Sequence, residues 1–262
     1  MSGCPELAAF AEELAEVARL ETLGRWLQTC TVEDKGTSAF DPVTDADREA
    51  ERAMRELIRS RYPHHGVTGE ECIDEPANGP FCWSLDPVDG TRSFICGLPT
   101  WTTLIALLEE GRPLLGLVDA PCLGETYVGF EGNAYLVQGG RRTPLHASSC
   151  RRVAEARLST TDPFLFPSAG AETFARLSKA VRTVRYGFDG YAYARLAAGT
   201  LDLVVESGLK PHDYQALIPL VSAAGGAIGD WRGEQNFAGG NIIAASTSEL
   251  FEEALGYFRD CA

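Results

Sequence analysis

Basic side chains are scarce in this chain. Its 262 residues include 23 Lys and Arg against 37 Asp and Glu, which leaves a formal net charge of −14 at pH 7. A surface of this sign repels the phosphate backbone of nucleic acids and anionic lipid headgroups. The composition therefore argues against nucleic acid or a membrane surface as a partner.

The sequence also lacks the patterns of a secreted, membrane-spanning or zinc-binding protein. Its eight cysteines are scattered without a Cys-x-x-Cys pair or a zinc-type His spacing. It has no amino-terminal apolar signal core and no apolar run of about 18 residues. With 45% hydrophobic residues it can bury a sizeable core. We therefore expect a folded cytoplasmic protein with reduced thiols.

Several motifs of enzyme chemistry are missing. No Gly-x-Gly-x-x-Gly follows a predicted strand, so a Rossmann dinucleotide site is not expected. No Cys-x₅-Arg loop and no hydrolase-type Ser motif is present, so a covalent phosphocysteine or phosphoserine route has no support. Any phosphate chemistry would have to use another nucleophile.

One stretch combines a possible cation site with a possible anion site, at residues 83–92. A short apolar segment ends in Asp86, and a proline stiffens the turn that leads to Asp89. Gly90 and Thr91 begin a predicted helix. Two carboxylates on a rigid turn suit Mg²⁺, and free N–H groups at a helix start suit a phosphate. A surface turn is the alternative, because Asp, Pro and Gly are common in turns for local reasons.

Further acids occur at distant points of the chain, and each has a structural explanation of its own. They are Asp41, Asp45 and Asp47 around the start of a helix, Glu70 and Glu71 after a short strand, and Asp213 at a helix start. Acids in a first helical turn are favoured by the helix dipole or act as caps, and adjacent acids at a strand end can be solvated. The Asp-x-Asp at 45–47 is not expected to be a phosphatase nucleophile, because no buried strand precedes it.

Hydrophobic periodicity predicts layers of helix and sheet. Predicted helices cover residues 5–27, 45–62, 171–180, 192–199 and 213–224 and a final segment capped by Ser246 or Thr247. Predicted strands cover 66–69, 101–109, 114–119, 125–130, 134–138, 158–161, 181–186, 201–206, 227–231 and 241–245. The strands between 101 and 138 indicate an antiparallel meander, and the later alternation is typical of α/β structure. A change in composition near 141–151 predicts two subdomains, residues 1–145 with the antiparallel meander and most of the candidate cation ligands, and residues 146–262 with the α/β structure.

The acidic segments resemble, in order and across most of the chain, the inositol-monophosphatase-like family of Mg²⁺-dependent, lithium-sensitive phosphatases. The segments that carry the resemblance lie at 41–47, 69–71, 83–92 and 210–213. It implies a layered αβαβα sandwich of the inositol monophosphatase and fructose-1,6-bisphosphatase type. It also implies two or three Mg²⁺ per site, a small phosphate monoester as substrate, and a homodimer.

The resemblance also assigns roles to individual residues. Glu70, Asp86 and the Val88 carbonyl hold the first ion, and Asp86, Asp89 and Asp213 hold the second. Thr91 and Asp47 activate the attacking water with help from Glu70, and the N–H groups of Gly90 and Thr91 cradle the phosphate. A loop at 31–40 closes over the site in the family, which makes Glu33, Asp34 and Lys35 candidate contributors. Direct attack by metal-activated water is the expected mechanism.

Two further acids bear on the substrate. Glu206 matches a family position that touches the leaving group, and Asp189 stands where sugar-phosphate members carry a small residue. Two acids favour a cationic leaving group, and the surrounding segments resemble the histidinol-phosphate phosphatases of the family. His212 departs from that pattern, which commonly has Tyr. The alternatives are an inositol, sugar or nucleotide 3′-phosphate phosphatase and, in a different class, a catalytically silent acidic module that binds Ca²⁺ or a protein.

Overall fold

The computed structural model describes residues 4–28, 32–34 and 42–259. Its α-helices are α1 Cys4–Leu23, α2 Asp45–Arg61, α3 Thr91–Ile95, α4 Ser168–Ala180, α5 Asp189–Ala197, α6 Pro211–Tyr214, α7 Leu217–Ala223 and α8 Ser248–Phe258. Its strands are β1 Val32–Asp34, β2 Pro42–Thr44, β3 Gly66–Gly69, β4 Phe81–Asp89, β5 Thr102–Glu109, β6 Arg112–Ala120, β7 Glu125–Phe130, β8 Asn133–Gln138, β9 Arg141–Pro144, β10 Arg157–Thr160, β11 Thr183–Tyr186, β12 Leu203–Glu206, β13 Ala227–Gly229 and β14 Ile242–Ala245. No helix in these ranges combines the length and apolar character needed to cross a membrane.

The first large sheet has seven strands in the order β3-β4-β5-β6-β7-β8-β9. Strands β4 to β9 pair antiparallel with their neighbours, and β3 pairs parallel with β4. The predicted meander is confirmed. Strand β9 was not predicted, because all four of its residues are exposed and its Arg-Arg-Thr-Pro sequence lacks apolar alternation, as suits an edge strand.

Helices α1 and α2 cover one face of this sheet. Phe10 and Leu14 of α1 and Met54 and Ile58 of α2 form one buried cluster with Trp83 of β4. The predicted start of α2 is confirmed, since the Thr44 hydroxyl accepts from the Ala46 N–H at 3.2 Å in a capping box. The hydrophobic cluster and the cap hold α2 over the strands that lead into the acidic segments.

The second large sheet has five strands in the order β11-β10-β12-β14-β13. Strand β10 runs parallel to β11 and β12, and β14 runs antiparallel to β12 and β13. Its outer face packs against α4 and α8, while α5 and α7 share a core with the inner faces of both sheets. The order of layers is helix, sheet, helix, sheet, helix, which confirms the predicted αβαβα sandwich.

The middle helical layer approaches the first sheet at backbone distance. Gly116 of β6 pairs with Gly129 of β7. A Cβ on Gly116 would lie 1.8 Å from the Ala216 carbonyl oxygen, and one on Gly129 would lie 2.4 Å from the Leu220 Cα. Only glycine leaves room for this contact. The pair therefore sets the depth at which the segment from α6 to α7 sits on the sheet.

One predicted helix is divided in the structure. Residues 213–224 were expected to form a single helix, but α6 ends at Tyr214 and α7 begins at Leu217. Pro219 has no N–H to donate to the carbonyl of Gln215, so a continuous hydrogen-bond ladder cannot form across the junction. The break places Asp213 in a short helix of its own.

Candidate active site

A cavity of about 230 Å³ lies where β4 ends and where α5 and α6 begin. Most of the site residues predicted from the sequence line it. These are Glu70, Asp86, Val88, Asp89, Gly90, Thr91, Asp189, Glu206 and Asp213. The chain thus brings acids from both halves of the sequence to one cleft.

Strand β4 supplies Asp86 and Asp89. Its pairing with β5 is interrupted by a register shift between these two residues, so the strand bends at the Pro87 turn. Asp86 is 1% exposed, and its Oδ1 accepts no hydrogen bond from any described residue. The Oδ2 of Asp89 accepts from the Thr102 hydroxyl and from the Gly190 N–H, each at 2.7 Å. Asp89 therefore connects the sheet to the start of α5.

Glu70 follows β3, which is parallel to β4, so the two strands deliver their acids to the same edge of the sheet. The N–H of Glu70 donates to the Leu85 carbonyl at 3.2 Å. The remaining predicted ligand, Asp213, accepts from the Lys210 N–H at 2.6 Å through Oδ2. Its backbone contact holds the carboxylate at the start of α6.

The segment after Glu70 is held by a buried ion pair that the sequence reasoning missed. Glu51 of α2 accepts from the N–H groups of Glu71 at 2.8 Å and Cys72 at 3.2 Å. Arg55 donates through Nε to Glu51 at 2.8 Å and through Nη1 to the Ile73 carbonyl at 3.1 Å. Glu51 and Arg55 are only 0% and 2% exposed. This ion pair, hereafter the clasp, fixes the backbone beside Glu70.

The carboxylates form two overlapping groups that can hold cations. In one group, ligand atoms of Asp86, Asp89 and Asp213 all lie within 4.8 Å of one another. In the other, the same limit holds for Glu70, Asp86 and His212. The structure therefore brings the four predicted acidic ligands together, and adds a histidine whose role the sequence left open.

The electrostatics of these acids favour a bound cation. Burial raises the pKa of Asp86 well above its usual range, and the charges of Glu70, Asp89 and Asp213 raise it further. Burial likewise raises the pKa of Asp89, followed by the charge of Asp189. Hard divalent cations bind carboxylate and carbonyl oxygens and offset this repulsion. With a buried Asp86 oxygen lacking a hydrogen bond, the donor set fits Mg²⁺.

The turn that opens α3 is shaped by Gly90. Its φ is +81°, and a Cβ there would lie 2.9 Å from the Asp189 Oδ2, so conformation and space both require glycine. The Thr91 hydroxyl donates to the Val88 carbonyl at 3.0 Å. The predicted phosphate-binding amides and the predicted carbonyl ligand are thus joined in one turn.

Asp47 is buried and does not line the cavity. Its Oδ2 accepts from the N–H of Thr44 at 2.9 Å and from the Thr44 hydroxyl at 2.5 Å. Its Oδ1 accepts from no described residue, and burial raises its pKa to about 7. Its expected partnership with Thr91 stays a prediction.

The two predicted substrate acids are neighbours in the cavity. Asp189 adopts a φ of +44°, an uncommon conformation for a residue with a side chain. Glu206 is 3% exposed and accepts from Thr160 at 3.1 Å and from the Thr161 N–H at 2.7 Å. Burial raises the pKa of Glu206 to about 8, and the charge of Asp189 adds to this.

Tyr193 is a cavity residue that the sequence analysis did not single out. It is 1% exposed, and its hydroxyl has no hydrogen-bond partner among the described residues. Burial raises its pKa, with contributions from the charges of Glu206, Asp89 and Asp213. Its position four residues after Asp189 on α5, on the same helix face, is the sequence signal that could have found it.

Two of the candidate loop residues, Glu33 and Asp34, lie in the exposed strand β1. Glu33 accepts from Arg48 at 2.9 Å in an exposed ion pair. Lys35 and Asp41, which the sequence analysis named, lie outside the described residues.

Comparison with known proteins agrees with this geometry. The model of the inositol monophosphatase family matches residues 5–262. The chain belongs to the inositol monophosphatase family. Membership confirms the predicted resemblance and identifies the chain as a phosphatase of this family, for which Mg²⁺ dependence and lithium sensitivity are typical.

Relatives within the inositol monophosphatase family carry different substrate names. The chain is 42% identical over 229 residues to the bifunctional phosphatase IMPL2 of Arabidopsis thaliana, covering 82% of this chain and 65% of the plant protein. It is 33% identical over 245 residues to a histidinol-phosphatase of Chlorobaculum parvum, covering 92% of each. A solved inositol monophosphatase from Zymomonas mobilis superposes with a TM-score of 0.85 at 37% identity, over 98% of this chain and 99% of that one.

Proposed function

We propose that this phosphatase hydrolyses L-histidinol phosphate to L-histidinol and phosphate in a Mg²⁺-dependent reaction. The observation that carries the proposal is a pair of acids, the half-buried Asp189 and the buried Glu206, in the cavity that the candidate metal ligands line. Histidinol carries an ammonium and an imidazole, and charge-assisted hydrogen bonds to two carboxylates would select it over a neutral polyol.

The metal-binding side of the proposal uses five residues. Glu70, Asp86 and the Val88 carbonyl would hold one Mg²⁺, and Asp86, Asp89 and Asp213 would hold a second. Bound divalent ions at such a site neutralise phosphoryl oxygens, lower the pKa of water and assist the leaving oxygen. These five residues would set the distance between the two ions and their orientation toward the phosphate.

The remaining predicted residues position the phosphate and the attacking water. The N–H groups of Gly90 and Thr91 would bind phosphoryl oxygens. The Thr91 hydroxyl already donates to the Val88 carbonyl, so its oxygen lone pairs remain available to orient a water molecule. Asp47 would accept a hydrogen bond from the Thr91 hydroxyl when that proton turns away from the Val88 carbonyl, and Glu70 would assist.

The substrate proposal draws support from the full-length similarity to a histidinol-phosphatase. The same-class alternative is an inositol, sugar or nucleotide 3′-phosphate substrate, and the similarity to the Zymomonas mobilis inositol monophosphatase favours it. The alternative of a catalytically silent metal-binding module predicts that Thr91→Ala changes nothing measurable. A phosphatase predicts instead that Thr91→Ala abolishes phosphate release and spares metal binding.

A phosphate-release assay with and without Mg²⁺ tests the proposal. Its substrates are histidinol phosphate, inositol 1-phosphate, fructose bisphosphate and adenosine 3′,5′-bisphosphate. We expect histidinol phosphate to have the highest kcat/KM, and we expect Asp189→Ala to lower that value about tenfold or more relative to inositol 1-phosphate. If Asp189→Ala lowers kcat/KM equally for both substrates, the selectivity argument is wrong.

We also propose a homodimer in the cytoplasm, with the two subdomains divided near residue 145. Light scattering of the purified protein tests the oligomeric state, and expression of residues 1–145 and 146–262 as separate chains tests the division. A single species of monomer mass would refute the dimer.

A further inference from the structure

His212 occupies an unusual place beside the acids. It precedes Asp213 in α6, and its Nε2 lies 3.4 Å from the Asp213 Oδ1. The side chain is 15% exposed, and Nε2 has no hydrogen-bond partner among the described residues. A buried polar nitrogen without a partner loses its hydration without compensation. The imidazole therefore has an unused donor or acceptor close to Glu70 and Asp86.

The geometry around this imidazole fits a cation. A ring nitrogen of His212 and carboxylate oxygens of Glu70 and Asp86 lie within 4.8 Å of one another. Two donors that bind one ion at about 2.1 Å each are separated by at most about 4.2 Å. Small side-chain adjustments would bring all three atoms into one coordination sphere.

Asp86 provides an independent observation at the same place. Its carboxylate is 1% exposed, and Oδ1 accepts no hydrogen bond from the described residues. The buried oxygen of Asp86 and the buried nitrogen of His212 both lack hydrogen-bond partners among the described residues, and both residues belong to the group with Glu70. A cation shared by these atoms would satisfy them together.

We propose that His212 is a metal ligand, so that the site contains two unlike cation positions sharing Asp86. One position has the nitrogen of His212 with oxygens of Glu70 and Asp86, and the other has oxygens of Asp86, Asp89 and Asp213. This inference rests on the proposed metal-dependent phosphatase site and deepens it. The mixed position would still accept Mg²⁺, as the proposed function requires, but would bind a transition metal more tightly, whereas the all-oxygen position suits Mg²⁺.

The chemistry of the donors sets the expected selectivity. Imidazole nitrogen binds first-row transition ions more tightly than Mg²⁺, which prefers oxygen and retains its waters. The His212 position should therefore take a transition ion such as Mn²⁺ in preference to Mg²⁺. Two adjacent residues would therefore bind different ions, His212 the ion at the mixed position and Asp213 the ion at the all-oxygen position.

Electron spin echo spectroscopy of the whole protein with one equivalent of Mn²⁺ tests the inference directly. We expect modulation from a directly bound imidazole ¹⁴N in the wild-type protein with Mg²⁺ in excess, and its loss in His212→Gln. The same loss in His212→Tyr is expected, because the phenol retains a ring and supplies no nitrogen. His146→Tyr removes an exposed imidazole elsewhere and should leave the modulation unchanged. Wild-type protein without ¹⁴N modulation would overturn the inference without recourse to any variant.

Affinity measurements supply a second readout. We expect His212→Gln to weaken binding of Mn²⁺ about tenfold or more, with a smaller change for Mg²⁺. Equal losses for both ions, or no loss for either, would overturn the inference. Absence of Mg²⁺-dependent phosphate release in the wild-type protein would instead count against the proposed function, so the two failures are distinguishable.

Discussion

Two buried aspartates, Asp86 at the cavity and Asp202 before β12, have the same exposure and opposite electrostatics. Each is 1% exposed. The Asp202 carboxylate accepts from Arg157 through Nε and Nη2 at 2.7 Å each and from its N–H at 2.8 Å, and also from the Ser148 hydroxyl. Asp86 has an oxygen with no hydrogen bond from the described residues and faces other acids.

The pKa shifts of the two residues differ in direction. Burial acts to raise the pKa of Asp202, but its hydrogen bonds to Arg157 and Ser148 outweigh burial and lower it. Burial raises the pKa of Asp86, and the neighbouring carboxylates add to that rise. Burial therefore does not distinguish a structural acid from a functional one. The distinction lies in whether the protein supplies the counter-charge or leaves it to a ligand.

The largest effect is expected from Asp86→Asn. Asp86 belongs to both cation groups, so the variant should lose about 10³-fold or more in Mg²⁺-dependent phosphate release. It should also unfold at a higher temperature than the wild type in a chelating buffer, because a repelling charge is removed. Phosphate-release assays and thermal unfolding measure the two effects. If Asp86→Asn turns over substrate at nearly the wild-type rate, Asp86 is not a functional acid.

The clasp is an intermediate case, because its acid is buried with an arginine and yet stands next to the site. Glu51→Ala should lower the free energy of unfolding by about 3 kcal/mol, since the buried Arg55 keeps only the acid Glu75, at 3.0 Å, and the N–H groups of Glu71 and Cys72 lose their acceptor. Glu51→Gln should cost less, because its amide oxygen can still accept from the Glu71 N–H. Urea unfolding measures both variants. If both variants lose the same free energy of unfolding, the loss comes from the charge of the Glu51 carboxylate and not from its hydrogen bonds to the backbone.

Added Mg²⁺ should stabilise the protein through the cavity acids. At a concentration of 100 times Kd, binding to the folded state adds about 2.7 kcal/mol. Thermal unfolding in a Mg²⁺ series should therefore show a rising Tm for the wild type and little change for Asp86→Asn. The same rise in the Asp86→Asn variant would place the bound ion elsewhere.

The sequence was informative where the site is local. Asp86 and Asp89 share one turn with Gly90, so their proximity follows from the backbone alone, and the family resemblance added Glu70 and Asp213. The clasp was missed because Glu51 and Arg55, four apart on a helix, match the pattern of an ordinary solvated pair. Only the fold shows that loop 71–75 covers them.

Sequence patterns were also insufficient for residues whose surroundings come from more than one layer of the fold. His212 carries no local signal of burial, because Glu70 and Asp86, which lie beside it, come from segments far away in sequence. Tyr193 carries only the signal of its spacing from Asp189. The break between α6 and α7 follows from Pro219, which was visible in the sequence, whereas the close approach of Ala216 and Leu220 to Gly116 and Gly129 was not. Long-range packing therefore determines what the sequence could not predict.

The smallest effect is expected at Asp202, and its pH dependence separates it from Asp86. Asp202→Asn should lower the free energy of unfolding by about 1–2 kcal/mol at pH 7 and leave phosphate release unchanged. A carboxyl whose folded pKa lies below its ordinary 3.8 stabilises the fold above that value, and this contribution is lost as the pH falls through the folded pKa. The difference between wild type and variant, measured by urea unfolding, should therefore narrow between pH 7 and strongly acidic pH. A difference that widens on acidification would mean that Arg157 does not supply the counter-charge on which the contrast with Asp86 depends.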